Sequence, residues 1–183
     1  MHVSSVQQRG SVRFPAFIGE RIYMREFTKA AGLPADIARW QPTVDAMLDG
    51  VETDGRIFLM VDQAVVRQQA THRRPGLHVD GHWNPALYAY GHGGSSIGNT
   101  ESETLILASD KLGCAAYVGA YEGEPGSGGD CSHIDASSLL RVEMEPGRVW
   151  AGDTLRMLHE AVPVERDCLR TVVRLNVLGW RPQ

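Results

Sequence analysis

Long apolar runs are missing from this sequence: no stretch approaches the roughly 20 residues of a membrane-spanning helix, and the first residues lack the basic start and hydrophobic stretch of a secretory signal. Cysteine is scarce as well. Cys114, Cys131 and Cys168 are odd in number, widely spaced and without a Cys-x-x-Cys pair, which argues against a disulfide framework or a thiolate zinc site. They read as free thiols of a reducing compartment, and Cys131, set in a Gly-rich loop, is the one that could be exposed. Charge of one sign is also missing. Eighteen Lys and Arg against 22 Asp and Glu leave a formal net charge of −4, with no broad basic surface to suggest nucleic acid. No repeat, linker or low-complexity tail is present. The expectation is a cytoplasmic protein, one domain over residues 1–183, long enough to bury a core without staples.

What the chain does contain is many short strand-like runs punctuated by Gly and Pro. An N-terminal strand is expected near Ser11 to Ile18, then a mainly helical section in which Thr43 caps a short helix and Gly50 stops it. Strands are expected at Ile57 to Val61 and Ala64 to Thr71 around a turn at Asp62-Gln63. Others are expected at Leu87 to Tyr90, Thr104 to Ser109, Cys114 to Ala120, Leu139 to Met144, Arg148 to Ala151, Thr154 to Val162 and Arg170 to Leu178. The pattern predicts a mainly β fold: a double-stranded β-helix (jelly roll, cupin-like) over 72–180, with residues 1–70 as strand and helix support packed on the sheet.

Two segments carry the chemistry. In Pro75-Gly76-Leu77-His78-Val79-Asp80-Gly81, His78 and Asp80 are two apart, so on an extended strand both side chains leave the same side and could grip one metal. A third ligand must come from elsewhere, and His159 closes a strand-like stretch in which Leu155, Met157 and His159 share one face. A hydrogen-bonded core histidine is the plainer reading of His159 alone. Farther on, Arg170, Val172, Arg174 and Asn176 share one face of a strand and Thr171, Val173, Leu175 and Val177 the other. Simple alternation would put the Arg face in solvent. As a hairpin neighbour of His159, however, the strand could set a guanidinium fork beside the metal ligand, suited to a carboxylate.

These residues together resemble the signature of the Fe(II)/2-oxoglutarate-dependent dioxygenases: His-x-Asp, a distant His, and an Arg some ten to fifteen residues later. The run Pro146-Gly147-Arg148-Val149-Trp150, Gly152-Asp153, then His159-Glu160 and Pro163-Val164 looks like the prolyl-hydroxylase-like approach to the distal ligand. The spacing of Arg170 and Arg174 looks more like the taurine-dioxygenase branch. The resemblance covers about residues 72–180. It implies His78, Asp80 and His159 as catalytic Fe(II) ligands, Arg170 or Arg174 as the holder of 2-oxoglutarate, and hydroxylation of a C–H bond of a small molecule or side chain with release of succinate and CO2.

By composition, His-x-Asp should occur only about 0.4 times by chance in this chain. A second copy, His133-Ile134-Asp135, is nonetheless present. Its 24-position separation from His159 leaves room for about two strands, whereas the 79 from Asp80 leave room for four or five. The spacing favours His78 and Asp80. The basic run His72-Arg73-Arg74 reads as an exposed turn before Pro75, or as a contact to substrate phosphate or to the metal ligands from behind. The loop from Gly91 to Glu103 reads as a lid or a surface loop; Trp83, Asn84, Tyr88, Tyr90, His82 and His92 could line the same mouth. Two other classes stay open: a cupin-like metal enzyme that does not use 2-oxoglutarate, and a non-catalytic jelly-roll binding module.

Overall fold

A computed structural model describes residues 1–80 and 103–182. Among them are ten strands: β1 (His2–Ser4), β2 (Gln7–Ser11), β3 (Arg21–Thr28), β4 (Arg56–Val66), β5 (Glu103–Ser109), β6 (Cys114–Tyr121), β7 (Leu140–Glu143), β8 (Arg148–Asp153), β9 (His159–Ala161) and β10 (Cys168–Leu178). One α-helix, α1 (Gln41–Met47), follows a 3₁₀ turn at Ala35–Trp40. The strands form two antiparallel sheets. The larger runs β2-β8-β5-β10-β4-β3; the smaller runs β1-β6-β7, with β9 also on β6. This is the mainly β, double-stranded β-helix architecture expected from the strand pattern. The first 66 residues do more than support it, since four of the strands come from them. No described helix is long and apolar enough to cross a membrane.

β10, at the centre of the large sheet, shows how the layers are built. Its Val173, Leu175 and Val177 join a core with Ile57, Leu59 and Val61 of β4 and with Trp40, Val44, Met47 and Leu48 of the helical segment. The opposite face, with Val172, meets Met60, Leu105 and Leu107 of the same sheet and Cys114 and Ala116 of β6. Both faces are therefore buried, and the Arg-bearing face looks into the space between the sheets instead of into solvent. Helical cover on one side of a strand is what turns its polar alternation inward.

Several element boundaries differ from expectation, each for a local reason. β4 continues through Asp62 and Gln63, because both find partners inside. Gln63 accepts from Ile18 N (3.0 Å) and Glu20 N (3.2 Å) and donates to Thr171 Oγ1 (3.2 Å), and Asp62 accepts from Arg73 (2.8 Å). That capture of backbone N–H groups leaves 12–20 as an irregular connection, with strand pairing ending at Ser11. Helix α1 starts earlier than Thr43, since Pro42 is preorganised for a first turn; Thr43 Oγ1 instead donates to Arg13 O (2.8 Å). β9 is short because Asp153 Oδ1 accepts from Leu155 N (2.9 Å) and turns the chain, which takes Leu155 off the face of His159. Cys131 is fully buried. No disulfide is formed: Cys114, Cys131 and Cys168 are free. The Leu87 to Tyr90 strand, residues 91–102 of the loop, and Trp83, Asn84, Tyr88, Tyr90, His82 and His92 lie outside the described residues.

Candidate metal centre

The segment carrying His78 and Asp80 is stitched to β9 and the turn before it. His78 N donates to His159 O (2.9 Å), His159 N donates to His78 O (3.0 Å), and Asp80 N donates to Thr154 O (3.0 Å). Val79 between them points the other way, into a core with Tyr121, Cys131, Ile134 and Leu158. The alternation of an extended chain thus uses one apolar residue as an anchor and aims its two neighbours into the cavity. His159 arrives opposite them, and the two imidazole centroids are 4.4 Å apart.

One atom from each of His78, Asp80 and His159 can be chosen so that all lie within 4.8 Å of one another. His78 Nε2 is 3.9 Å from Asp80 Oδ1, and His159 Nε2 is 3.4 Å from Asp80 Oδ2. Each ring is oriented from behind. His78 Nδ1 lies 2.7 Å from Gly76 O and His159 Nδ1 lies 3.0 Å from Met157 O; a carbonyl only accepts, so Nδ1 carries a proton in each ring and Nε2 is the atom turned toward Asp80. Two neutral imidazole nitrogens and one carboxylate are the donor set of a non-haem Fe(II) facial triad, so these residues fit such an ion.

The electrostatics suit this use. Burial would raise the Asp80 carboxyl, but the charge of Arg174, then the charge and hydrogen bond of His159, hold it well below the usual carboxylate range. Burial, then the neighbouring His159, lower the His78 ring to about 4, so it is neutral at pH 7. Burial opposes protonation of His159 too, but the Asp80 charge and hydrogen bond outweigh it and raise its pKa. A metal competes with a proton for that nitrogen.

The two arginines of β10 part company here. Arg174 Nη1 donates to Asp80 Oδ2 (2.9 Å), and its Nε donates to Asn176 Oδ1 (2.8 Å). Asn176 in turn donates to Glu103, so a buried polar relay runs from β5 through β10 to Asp80. Arg170 is fully buried. Its Nη2 contacts Cys114 Sγ (3.3 Å), its Nε makes a long contact to Lys111 O (3.4 Å), and its Nη1 has no partner. No carboxylate among the described residues pairs with it. Gly113 (φ +153°) makes room for it: a Cβ there would stand 2.8 Å from the guanidinium carbon.

A cavity of about 160 Å³ opens on the metal group, walled by Met60, Leu105, Leu107, Cys114 and Val172 and edged by Arg73 and Arg74. The run His72-Arg73-Arg74 is therefore not a free surface turn. The His72 side chain is 3% exposed beside Asp62, Arg73 bonds Asp62, and Arg74 donates to Gly128 O (2.7 Å). The other His-x-Asp pair is elsewhere and exposed: His133 Nε2 bonds Glu124 O (3.0 Å) and Asp135 accepts from Ser137 N (2.9 Å). Sequence reasoning did not find the roles of Asp62, Gly113, Cys114 or Glu103. Only for Asn176, two positions from Arg174 on the same face, was a signal legible.

No protein-family profile matches the chain, and no curated protein matches it. Solved structures do. EvdO2 from Micromonospora carbonacea var. aurantiaca, complexed with 2-oxoglutarate, is 17% identical over 82% of this chain, with a TM-score of 0.45. The chain spans 62% of the length of that protein. AviO1 from Streptomyces viridochromogenes Tue57 is 12% identical, with a TM-score of 0.46, over 100% of this chain and 93% of its own. The non-haem monooxygenase ThoJ in its apo form is 13% identical, with a TM-score of 0.43, over 83% and 58% respectively. These are distant likenesses, and no family membership follows from them.

Proposed function

We propose that the chain is a non-haem Fe(II)- and 2-oxoglutarate-dependent oxygenase that hydroxylates a C–H bond of a small molecule or side chain and releases succinate and CO2. The observation that carries this reading is Arg170. A buried guanidinium with a free Nη1 and no carboxylate partner, behind a cavity that holds two imidazoles and a carboxylate, calls for an anionic ligand beside a metal.

In this reading His78, Asp80 and His159 hold Fe(II), which when bound supplies the oxidising chemistry with dioxygen and the keto acid. Arg170 takes the carboxylate of 2-oxoglutarate that lies farther from the metal, reached past Cys114, which lines the cavity and whose Sγ is 3.3 Å from Arg170 Nη2. Arg174 keeps Asp80 ionised and fixes its Oδ2, which leaves Oδ1 the freer oxygen. Met60, Leu105, Leu107 and Val172 keep water from the reacting end.

The test is an anaerobic titration of metal-free protein with Fe(II) and then 2-oxoglutarate, followed through the weak visible charge-transfer band of the chelate. The band should appear in wild type and be lost in His78→Ala. Iron uptake without the band would favour a cupin-like enzyme that does not use the keto acid, and no uptake would favour a binding module. Gly113→Ala gives an independent check, because its Cβ would push the Arg170 guanidinium aside. Fe(II) affinity should stay within about twofold while 2-oxoglutarate affinity falls by about tenfold or more.

A further inference from the structure

Four buried side-chain polar atoms among the described residues have no hydrogen-bond partner: Asp62 Oδ1, His72 Nδ1, His72 Nε2 and Arg170 Nη1. They are not scattered. His72 Nε2 lies 3.4 Å from Asp62 Oδ1, and Asp62 on β4 stands opposite Val172 of β10, two positions from Arg170 on the same inward face. Asp62 Oδ1 and His72 Nε2 face each other, and Arg21 Nε stands 3.3 Å from the same oxygen, so His72 Nδ1 and Arg170 Nη1 are the atoms that a ligand would complete.

The surrounding charges favour an anion there. Asp62, on β4, is already matched by Arg73 (2.8 Å) and by Arg21 of β3 (3.3 Å), whereas Arg170 on β10 is matched by nothing. The anionic ligand assigned to Arg170 would enter between that guanidinium and the imidazole.

We propose that His72 is the second donor to the far carboxylate of the co-substrate, with Nε2–H turned to Asp62 and Nδ1–H to the ligand. This rests on the reading of Arg170 above and adds to it a residue and a proton. A ring that donates through both nitrogens is an imidazolium. In the ligand-free protein, burial holds the ring below its ordinary value; the charge of Asp62 pulls the other way, and those of Arg170 and Arg73 add to the lowering, so the ring is neutral at pH 7. A carboxylate against Nδ1 favours the charged form, and binding then takes up one proton from solvent. Between the ring's pKa in the free protein and its higher pKa in the complex, affinity falls as pH rises; above that window it is flat.

The experiment compares 2-oxoglutarate with 2-oxobutyrate, which lacks the far carboxylate, on the full chain loaded anaerobically with Fe(II). His72→Phe should weaken 2-oxoglutarate by about tenfold or more and leave 2-oxobutyrate within about twofold. His72→Gln, closer in shape and still a donor, should keep part of the affinity and lose the proton uptake, read by calorimetry in two buffers of different ionisation heat. Equal losses for both keto acids would mean that His72 only supports the fold and would overturn the proposal. Unchanged 2-oxoglutarate affinity in both variants, with Arg170→Met impaired, would overturn it and leave the functional reading standing. A wild-type protein that binds neither keto acid would end both.

Discussion

The Asp80→Ala protein is expected to bind Fe(II) more than about 100-fold more weakly than wild type, beyond what loss of a mere supporting group costs a metal site. The same change should also lower the stability of the metal-free protein. Arg174, whose side chain is 14% exposed, loses the carboxylate 2.9 Å away and keeps its charge. Breaking such a pair costs on the order of 3 kcal/mol, the low end for buried pairs because both partners keep some contact with water. Adding Arg174→Met should recover most of that stability and none of the metal binding. Denaturant unfolding reads the first effect and metal titration the second. Wild-type iron affinity in Asp80→Ala would remove this residue from the ligand set; a double variant no more stable than the single one would show that the ion pair is not what was lost.

Replacing Arg170 by methionine should move stability and binding in opposite directions. The guanidinium is fully buried without a carboxylate, and its Nη1 is unsatisfied, so the ligand-free protein carries an unpaired cation. A side chain of similar reach and no charge removes that penalty, and the melting temperature should hold or rise. Affinity for 2-oxoglutarate should fall by at least about 30-fold, the smaller end of what truncating one partner of a buried charge pair costs. A residue that only braced the fold would lose stability on the same change. A lower melting temperature with undiminished keto-acid binding would transfer the co-substrate role to Arg174.

Those two arginines show where sequence reading stops. Their shared face, two turns of alternation apart from Val173 and Leu175, was legible from a period of two. Which arginine is free was not, because Asp80 comes to Arg174 from 94 positions away and Cys114 comes to Arg170 from 56. The Asp62-Gln63 pair makes the same point from the other direction. Local propensity reads two polar residues as a turn, and partners from 18, 20, 73 and 171 make them the middle of a strand. Burial of a polar side chain is decided by whether a partner meets it, and partners are tertiary.

The sequence by itself determined the mainly β class, through short alternating runs cut by Gly and Pro, and the pairing of His78 with Asp80, through a two-residue spacing that any extended backbone aims to one side. It also set the choice between two His-x-Asp pairs, since only one leaves enough chain for the strands that precede His159. The tertiary structure decided the rest: that both faces of β10 are buried, that Arg174 is tied to Asp80 while Arg170 Nη1 is left without a partner, and that His72 and Asp62 stand on the same side of the sheet. Periodicity is local and can be read along the chain, whereas the satisfaction of buried charge depends on groups that meet only when the two sheets close over one another.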